Sequence, residues 1–423
     1  MKKIIPHILI ILCLAWMNAL QAELPNADVT YNPSVKTILL FRKGFEMAAP
    51  VMYLDDRNGL TLAFDDLDAD LKPYQFTILH CECDWTNSTL IRPEDYIDGN
   101  LEDRIDDYQY SSNTLVPYTH YSVELPTRDM KIKVSGNYIL KVYTDSPENP
   151  AFTRRFMVVE HTPLGVDGSV HQTDDVGDRF SKQDVDFTIR YNGFPVYDPR
   201  QVKVVVTQND RWDNAIRNIS PKFVRNESLD YNYDKEISFN GGNEFRAFDI
   251  KSLRYNSERI RTIDKTGEVI KVILLDDERR TFKKYTSEKD INGRKLIKSE
   301  DYAQNSDIEA DYVKVEFRLP FDALRSNGSM HILGALTDWR IDSTSKMDFD
   351  FEGKAYVKEL LLKQGYYNYE YVFRDNSTGK ADETLVEGNH WETENEYTIW
   401  VYFRENGGLF DRLIAVQNLN MGL

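Results

Sequence analysis

The sequence predicts an all-β protein made of tandem immunoglobulin-like β-sandwich domains, and three observations predict it. Short runs alternate apolar and polar residues with a period of two, long helical periodicity is nearly absent, and Asn, Gly, Asp and Pro punctuate the runs. The 25 Tyr and 21 Phe feed these runs, as expected for side chains that suit a pleated, half-buried surface. Short strands broken by turn residues fit sandwiches rather than alternating β and α units. The 423 residues imply roughly three domains at about 100–200 residues each. A hydrophobic share of 41% allows packed cores rather than disorder.

From the N-terminus, residues 1–22 read as a removable signal peptide. Lys2 and Lys3 form the basic start, Ile4–Leu20 the apolar run, and Leu20-Gln21-Ala22 the cleavage site. Pro6, His7 and Asn18 suit a permanent span poorly, and no later stretch reaches the roughly 20 apolar residues that a spanning helix needs. Cys13 lacks the small preceding residues of a lipidation signal, since Ile10-Ile11-Leu12 stand there. The mature chain is therefore expected to be exported and soluble, starting near Glu23. Losing Lys2 and Lys3 leaves 50 basic against 69 acidic residues, a net charge of −19. With a pI near 5.0 this is the wrong sign for nucleic acid or an anionic membrane surface.

The first sandwich is expected over residues 23–160. Within it, His80-Cys81-Glu82-Cys83-Asp84-Trp85 extends an alternating run. Leu79, Cys81, Cys83 and Trp85 fall on one face and His80, Glu82 and Asp84 on the other. Cys81 and Cys83 are the only cysteines left after processing, too few for a disulfide framework. Same-face neighbours on a strand lie about 6.5–7 Å apart, beyond the Cβ separation of about 3.8 Å that a disulfide prefers. Both are expected to act as small buried hydrophobes. Asp66, Asp68 and Asp70 have the opening spacing of a calcium loop, but Leu71 and Thr77 stand where the loop needs Gly and Glu, so a solvated acidic turn is expected. Zinc is disfavoured because alternation turns His80 away from both sulfurs and no second Cys/His pair follows.

Val158-Val159-Glu160 closes the first block, and His161-Thr162-Pro163-Leu164-Gly165 reads as a linker or turn. The second sandwich, expected over 161–290, shows alternation at Val185, Phe187, Ile189 and Tyr191 and again at Val202, Val204 and Val206. The polar stretch Ser287–Asp311 then reads as a separator before a third sandwich over 308–423, where Val313, Val315, Phe317 and Leu319 alternate. Leu333-Gly334-Ala335-Leu336-Thr337-Asp338-Trp339, Tyr356–Leu362 and Gln364–Phe373 give this block a signature that resembles the early-set, glycogen-binding-like modules accompanying glycogen-active enzymes. Such modules stack sugar rings on exposed tryptophans. Trp339 and Trp391 are thus the candidate ligand-binding residues of a carbohydrate-binding alternative, in a periplasmic or surface protein. Against it, Trp212, Trp339, Trp391 and Trp400 equally suit core or rim positions.

Catalytic signatures are missing from the sequence. It has no Gly-x-Ser-x-Gly elbow, no His-Glu-x-x-His and no phosphate-cradling Gly-rich loop. Carboxylates are so numerous that none stands out as an acid–base pair. The expectation is a non-enzymatic protein with no catalytic, cofactor-binding or metal-binding residues.

One spaced series is more specific. Phe64-Asp65-Asp66-Leu67, the His80–Trp85 segment, Leu90, Tyr96-Ile97-Asp98-Gly99, Tyr110-Ser111-Ser112-Asn113-Thr114, Tyr118-Thr119-His120-Tyr121, Leu125-Pro126, Ser135–Tyr143 and Arg154-Arg155-Phe156-Met157-Val158 follow in order. Together they resemble the plug protein family of the type IX secretion system of Bacteroidota. The resemblance implies a periplasmic protein, peripherally associated with the giant outer-membrane β-barrel translocon, that occludes its periplasmic opening. It implies no cofactor, no nucleic acid and no membrane insertion; a glycan partner belongs only to the alternative. A plug must be a rigid, well-packed body with a releasable interface of mixed polarity. The resemblance assigns no particular residue to that interface.

Overall fold

Period-two burial builds every layer of the molecule. The computed structural model describes residues 24–421 except 57, 234, 302 and 303; the expected signal segment at 1–22 lies outside the described residues. Leu60, Leu62 and Phe64 point inward from strand Leu60–Asp66, and Phe76, Ile78 and His80 from strand Gln75–Cys81. The first strand belongs to a four-stranded sheet ordered Val35–Arg42, Leu60–Asp66, Thr119–Leu125, Asp107–Tyr110. The second belongs to a six-stranded sheet ordered Val29–Thr30, Phe152–Val159, Gly136–Tyr143, Gln75–Cys81, Glu102–Arg104, with Val51–Tyr53 added in parallel to Phe152–Val159. One core, including Leu62, Phe64, Phe76, Tyr121, Tyr138 and Phe156, lies between them. The strands of this sandwich lie between Val29 and Val159.

The three alternating segments read from the sequence are strands. Val185, Phe187 and Ile189 lie in Lys182–Arg190, Val202, Val204 and Val206 in Val202–Gln208, and Val313, Val315, Phe317 and Leu319 in Tyr312–Pro320. All ten side chains are buried. No regular structure spans 160–164, as a linker requires.

The division of the remaining chain differs from the expected 161–290 and 308–423. The second sandwich faces a five-stranded sheet (Gly165–Gln172, Lys182–Arg190, Ser228–Asp230, Phe223–Arg225, with Ser238–Asn240 on Lys182–Arg190) against a three-stranded one. That three-stranded sheet is Val202–Gln208, Glu396–Phe403 and Arg412–Asn420. The last two strands, assigned to the third block by position, thus complete the second: Val204 pairs with Val401 and Val206 with Ile399. The third sandwich is inserted between them. One of its sheets centres on Gly365–Asp375, flanked by Arg246–Asp249, Lys295–Ile297, Gly328–Leu333 and Ala381–Asp382. The other runs Ile260–Asp264, Lys271–Leu274, Tyr312–Pro320, Ala355–Lys363, Asp348–Asp350. Nor is Ser287–Asp311 a separator. Its strand Lys295–Ile297 pairs with Tyr367, Tyr366 and Gly365, and its backbone is tied in by Asn368 (Ile291 N–H to Oδ1, 2.6 Å). Polar composition misleads here because edge pairing satisfies the backbone without apolar side chains.

Separate cores mark the sandwiches. Val185, Val204, Leu229, Tyr397, Val401 and Ile414 share the second, and Phe248, Val315, Phe317, Met330, Tyr369 and Tyr371 the third.

Candidate functional site

The informative features of this molecule are the joints between its sandwiches, and residues of the spaced series found in the sequence take part in two of the three. Strand Gln75–Cys81 alternates as expected, placing His80 inside the first core and Cys81 on the opposite face. Beyond Cys81 the strand ends in a turn rather than alternating further. Glu82 N–H bonds to Thr86 O (2.8 Å), Trp85 N–H to Glu82 O (2.9 Å), and Trp85 takes φ +69°. The turn still delivers Cys83 and Trp85 to the face that Leu79 and Cys81 occupy.

That outer face is not solvated. Cys81, Trp85, Ile139, Met157 and Val159 pack against Val205, Trp400, Tyr402 and Leu413 of the three-stranded sheet in the second sandwich. Two sheets from different domains therefore stack on their outer faces. Fully burying each Val, Leu, Ile or Met there is worth about 1.5–3 kcal/mol relative to leaving it in water. Trp212 stands edge-on to Trp85 (centroids 4.9 Å apart) and tilted on Trp400 (5.3 Å). The Arg155 guanidinium lies 4.6 Å from the Trp85 ring centroid. Cys81 is fully buried and Cys83 half-buried; burial pushes the Cys81 thiol up to about 12 and Cys83 higher still. They are packing groups, as expected, but of a domain interface rather than one core.

Polar groups rim this stack. Asp411 accepts from Lys203 Nζ (2.9 Å), Arg404 Nε (2.8 Å) and the Cys83 amide (3.2 Å), while Glu82 pairs with Arg404 and accepts from the Asp411 amide (2.9 Å). Arg412 clamps Glu160 with two bonds of 2.8 Å. On the other face of the strand His80 bonds Ser88 Oγ (2.8 Å) and Ser135 O (3.2 Å); burial pulls its pKa down to about 4, so the ring stays neutral. It is a core histidine facing Tyr138 and Phe410.

A second joint links the first and third sandwiches. Asp65, fully buried, accepts from His120 Nδ1 (2.7 Å), Tyr312 OH (2.6 Å) and Lys363 Nζ (2.7 Å). Burial pushes its carboxyl up, but the Lys363 charge and the His120 and Lys363 bonds together hold it below the ordinary value. Lys363 also donates to Asp307 O (2.6 Å) and sits 4.2 Å from the Tyr118 ring centroid. Tyr118 OH reaches Ala310 O (2.9 Å), and Asp311 accepts from the amides of Leu115 (2.8 Å) and Val116 (3.1 Å). Nearby, Arg154 pairs with Asp338 at 2.9 Å, and Thr30 Oγ1 donates to the same carboxylate (3.1 Å).

The third joint links the inserted sandwich to its host. Arg211, buried, meets Glu370 (3.1 Å), Glu383 and Asp213 (2.8 Å). Arg294 meets Asp210 (2.6 Å) and Glu396. Sequence reading missed Asp65, His120, Tyr312, Lys363, Arg154 and Arg211 as a functional set. The available signal was a charge inside an apolar strand, as at Ala63-Phe64-Asp65 and Leu361-Leu362-Lys363, but Asp65 and Lys363 stand 298 residues apart.

The candidate sugar residues do not form a platform. Trp339 is half-buried at the meeting of the domains, with Phe245 edge-on (5.8 Å), the Arg211 guanidinium 5.1 Å from its centroid, and its ring against Gly293. Gly293 has φ +75°, and a Cβ there would meet the Trp339 ring at 2.2 Å. Trp391 packs on the second core, not on the third sandwich where it was expected. The calcium-like spacing at Asp66, Asp68 and Asp70 surrounds the chain's own cation, Lys72 Nζ, which lies 2.8 Å from Asp66 and 3.5 Å from Asp70 and also bonds Asp68.

Comparison with known proteins places the geometry. Residues 35–160 match the family model described as the type 9 secretion system plug protein first domain. No curated protein matches the chain. Among solved structures, the chain is similar to a hypothetical protein from Parabacteroides merdae ATCC 43184, known from a crystal structure at 2.30 Å resolution. The two are 34% identical with a TM-score of 0.90, over 94% of this chain and 100% of that one. The likeness thus includes the inserted sandwich.

Proposed function

The chain belongs to the type 9 secretion system plug protein family, which ties its role to that system, and from this premise we propose that it occludes the periplasmic opening of the outer-membrane translocon. In this reading it is an exported, non-enzymatic periplasmic protein, held peripherally at the β-barrel translocon and released when cargo passes. The observation that carries it is the set of buried joints. Residues of the spaced series (Asp65, Tyr118, His120, Cys81, Glu82, Trp85, Arg154 and Arg155) bind the domains to one another instead of lining a reaction centre. A plug needs an outline that does not yield, and desolvated ion pairs between stacked sandwiches supply it. Trp339 and Trp391 lie on different domains with their rings engaged in packing, so nothing in the geometry favours the carbohydrate alternative.

Deleting the gene in a strain with an intact translocon tests this. The expected result is raised outer-membrane permeability to large antibiotics and dyes with secretion largely retained, and no effect in a strain that also lacks the barrel. Normal permeability in the single deletion, with no substitute plug present, would refute it.

A further inference from the structure

A cleft of about 460 Å³ runs between the first and third sandwiches, within the size range of small-molecule sites. Its walls combine apolar side chains (Ile38, Ile297, Leu336, Leu360) with an unusual balance of charge. Every carboxylate that lines it is already matched. Asp338 is held by Arg154 at 2.9 Å, Asp342 by Arg340 at 2.6 Å, and Glu359 by Lys271 and Lys314 at 3.3 and 3.5 Å. Lys363 is used by Asp65. Three lining cations remain: Lys358 reaches Ser343 O at 3.5 Å, whereas Lys36 and Lys295 have no ion-pair or hydrogen-bond partner for their side chains among the described residues.

Local backbone strain adjoins Lys36. The pairing of Val35–Arg42 with Leu60–Asp66 shifts register between Lys36 and Leu39, and Thr37 there takes φ +46°, unfavourable for a β-branched residue. Bulges of this kind re-aim side chains beside sites. Lys295 reaches the cleft from the opposite wall, on the edge strand that pairs with Tyr367. Both ammonium groups are pulled down by burial, with Asp338 partly opposing. An unpaired ammonium in a desolvated cleft costs free energy, and an oxyanion seated between two of them removes that cost.

We propose that this cleft is a binding site for a small oxyanion, a carboxylate- or phosphate-bearing molecule, held by Lys36 and Lys295 against the Arg154–Asp338 pair. The site goes beyond the plug reading and does not rest on it. Occupancy would brace the first sandwich against the third, so ligand would stiffen that joint.

The test uses the full mature chain, titrated with inorganic phosphate and separately with citrate, at constant ionic strength made up with chloride. Calorimetry and thermal melting should show saturable binding at one site for at least one of the two, distinguishing phosphate from carboxylate preference. The Lys36→Met/Lys295→Met double variant should bind at least about tenfold more weakly, about 1.4 kcal/mol. Without anion it should melt at or above the parent, because two desolvated unpaired charges are gone. Should that variant fail to fold, acetylation of the parent mapped by mass spectrometry replaces it, with phosphate or citrate expected to protect Lys36 and Lys295 selectively. Melting curves identical in phosphate, citrate and chloride overturn the proposal. So do unchanged affinity in the double variant, absence of selective protection, or binding of an acidic peptide where both small anions fail.

Discussion

Replacing Asp65 by Asn removes one charge from the joint between the first and third sandwiches and keeps its shape. The carboxylate and the Lys363 ammonium are each about 1% exposed as side chains and lie 2.7 Å apart. Without its partner, Lys363 keeps the Asp307 carbonyl and the faces of Tyr118 and Tyr312, while His120 and Tyr312 lose a charged acceptor. Removing one member of a buried pair costs about 3–5 kcal/mol, because the other charge remains desolvated. At about 2–4 °C per kcal/mol for a unit of 150–250 residues, the transition of the affected domains should fall by about 6–20 °C. Calorimetry of the parent, Asp65→Asn, Lys363→Met and the double variant forms the assay, with hydrogen exchange at 115–121 and 307–312 reporting where the joint opens. The double variant should be more stable than the sum of the single losses predicts, since both charges leave together. The pH dependence carries the same signature. A carboxyl lowered in the folded state contributes fully above its unfolded value of about 3.9, and that contribution fades as pH falls through the folded value beneath it. Single variants within about 0.5 kcal/mol of the parent, or strictly additive losses, would refute the assignment of this joint.

Further outcomes follow from other buried groups. His80, neutral with a pKa near 4, makes the folded state lose about 1.4 kcal/mol per pH unit as pH falls from 6.5 toward 4, because the unfolded chain takes the proton first. His80→Asn should flatten the stability–pH slope in that window by about one proton, and an unchanged slope would contradict the neutral core histidine. Cys81 and Cys83 should resist thiol reagents at pH 8 in the native protein and react after denaturation, whereas rapid native labelling of Cys81 would mean that the sheet-on-sheet joint opens. The mature protein should not bind glycogen-like glucans. Trp339→Ala should instead lower the melting temperature through lost packing on Phe245, Gly293 and Arg211, and a glucan affinity abolished by both Trp339→Ala and Trp391→Ala would restore the carbohydrate alternative.

Local alternation was enough to place strands in this chain. The inward sets at 185–189, 202–206 and 313–319 were legible because side-chain direction along a strand has period two and depends only on neighbours in sequence. The opposite facing of His80 and Cys81 was legible for the same reason. The motif series likewise pointed to the family that residues 35–160 match. What an apolar outer face packs against was not legible. Leu79, Cys81 and Ile139 would read alike whether they met their own domain's core or, as they do, Trp400 and Leu413 of another domain. Domain membership failed at the same level. Glu396–Phe403 is plainly a strand, but its partner, Val202–Gln208, lies across an inserted sandwich, and pairing over such a separation is decided by which sheet edge is free. The candidate site shares that limit, because Asp65, Lys363, Lys36 and Lys295 carry ordinary charges in sequence. Only folding removes the water around them and sets which charges have partners and which are left over.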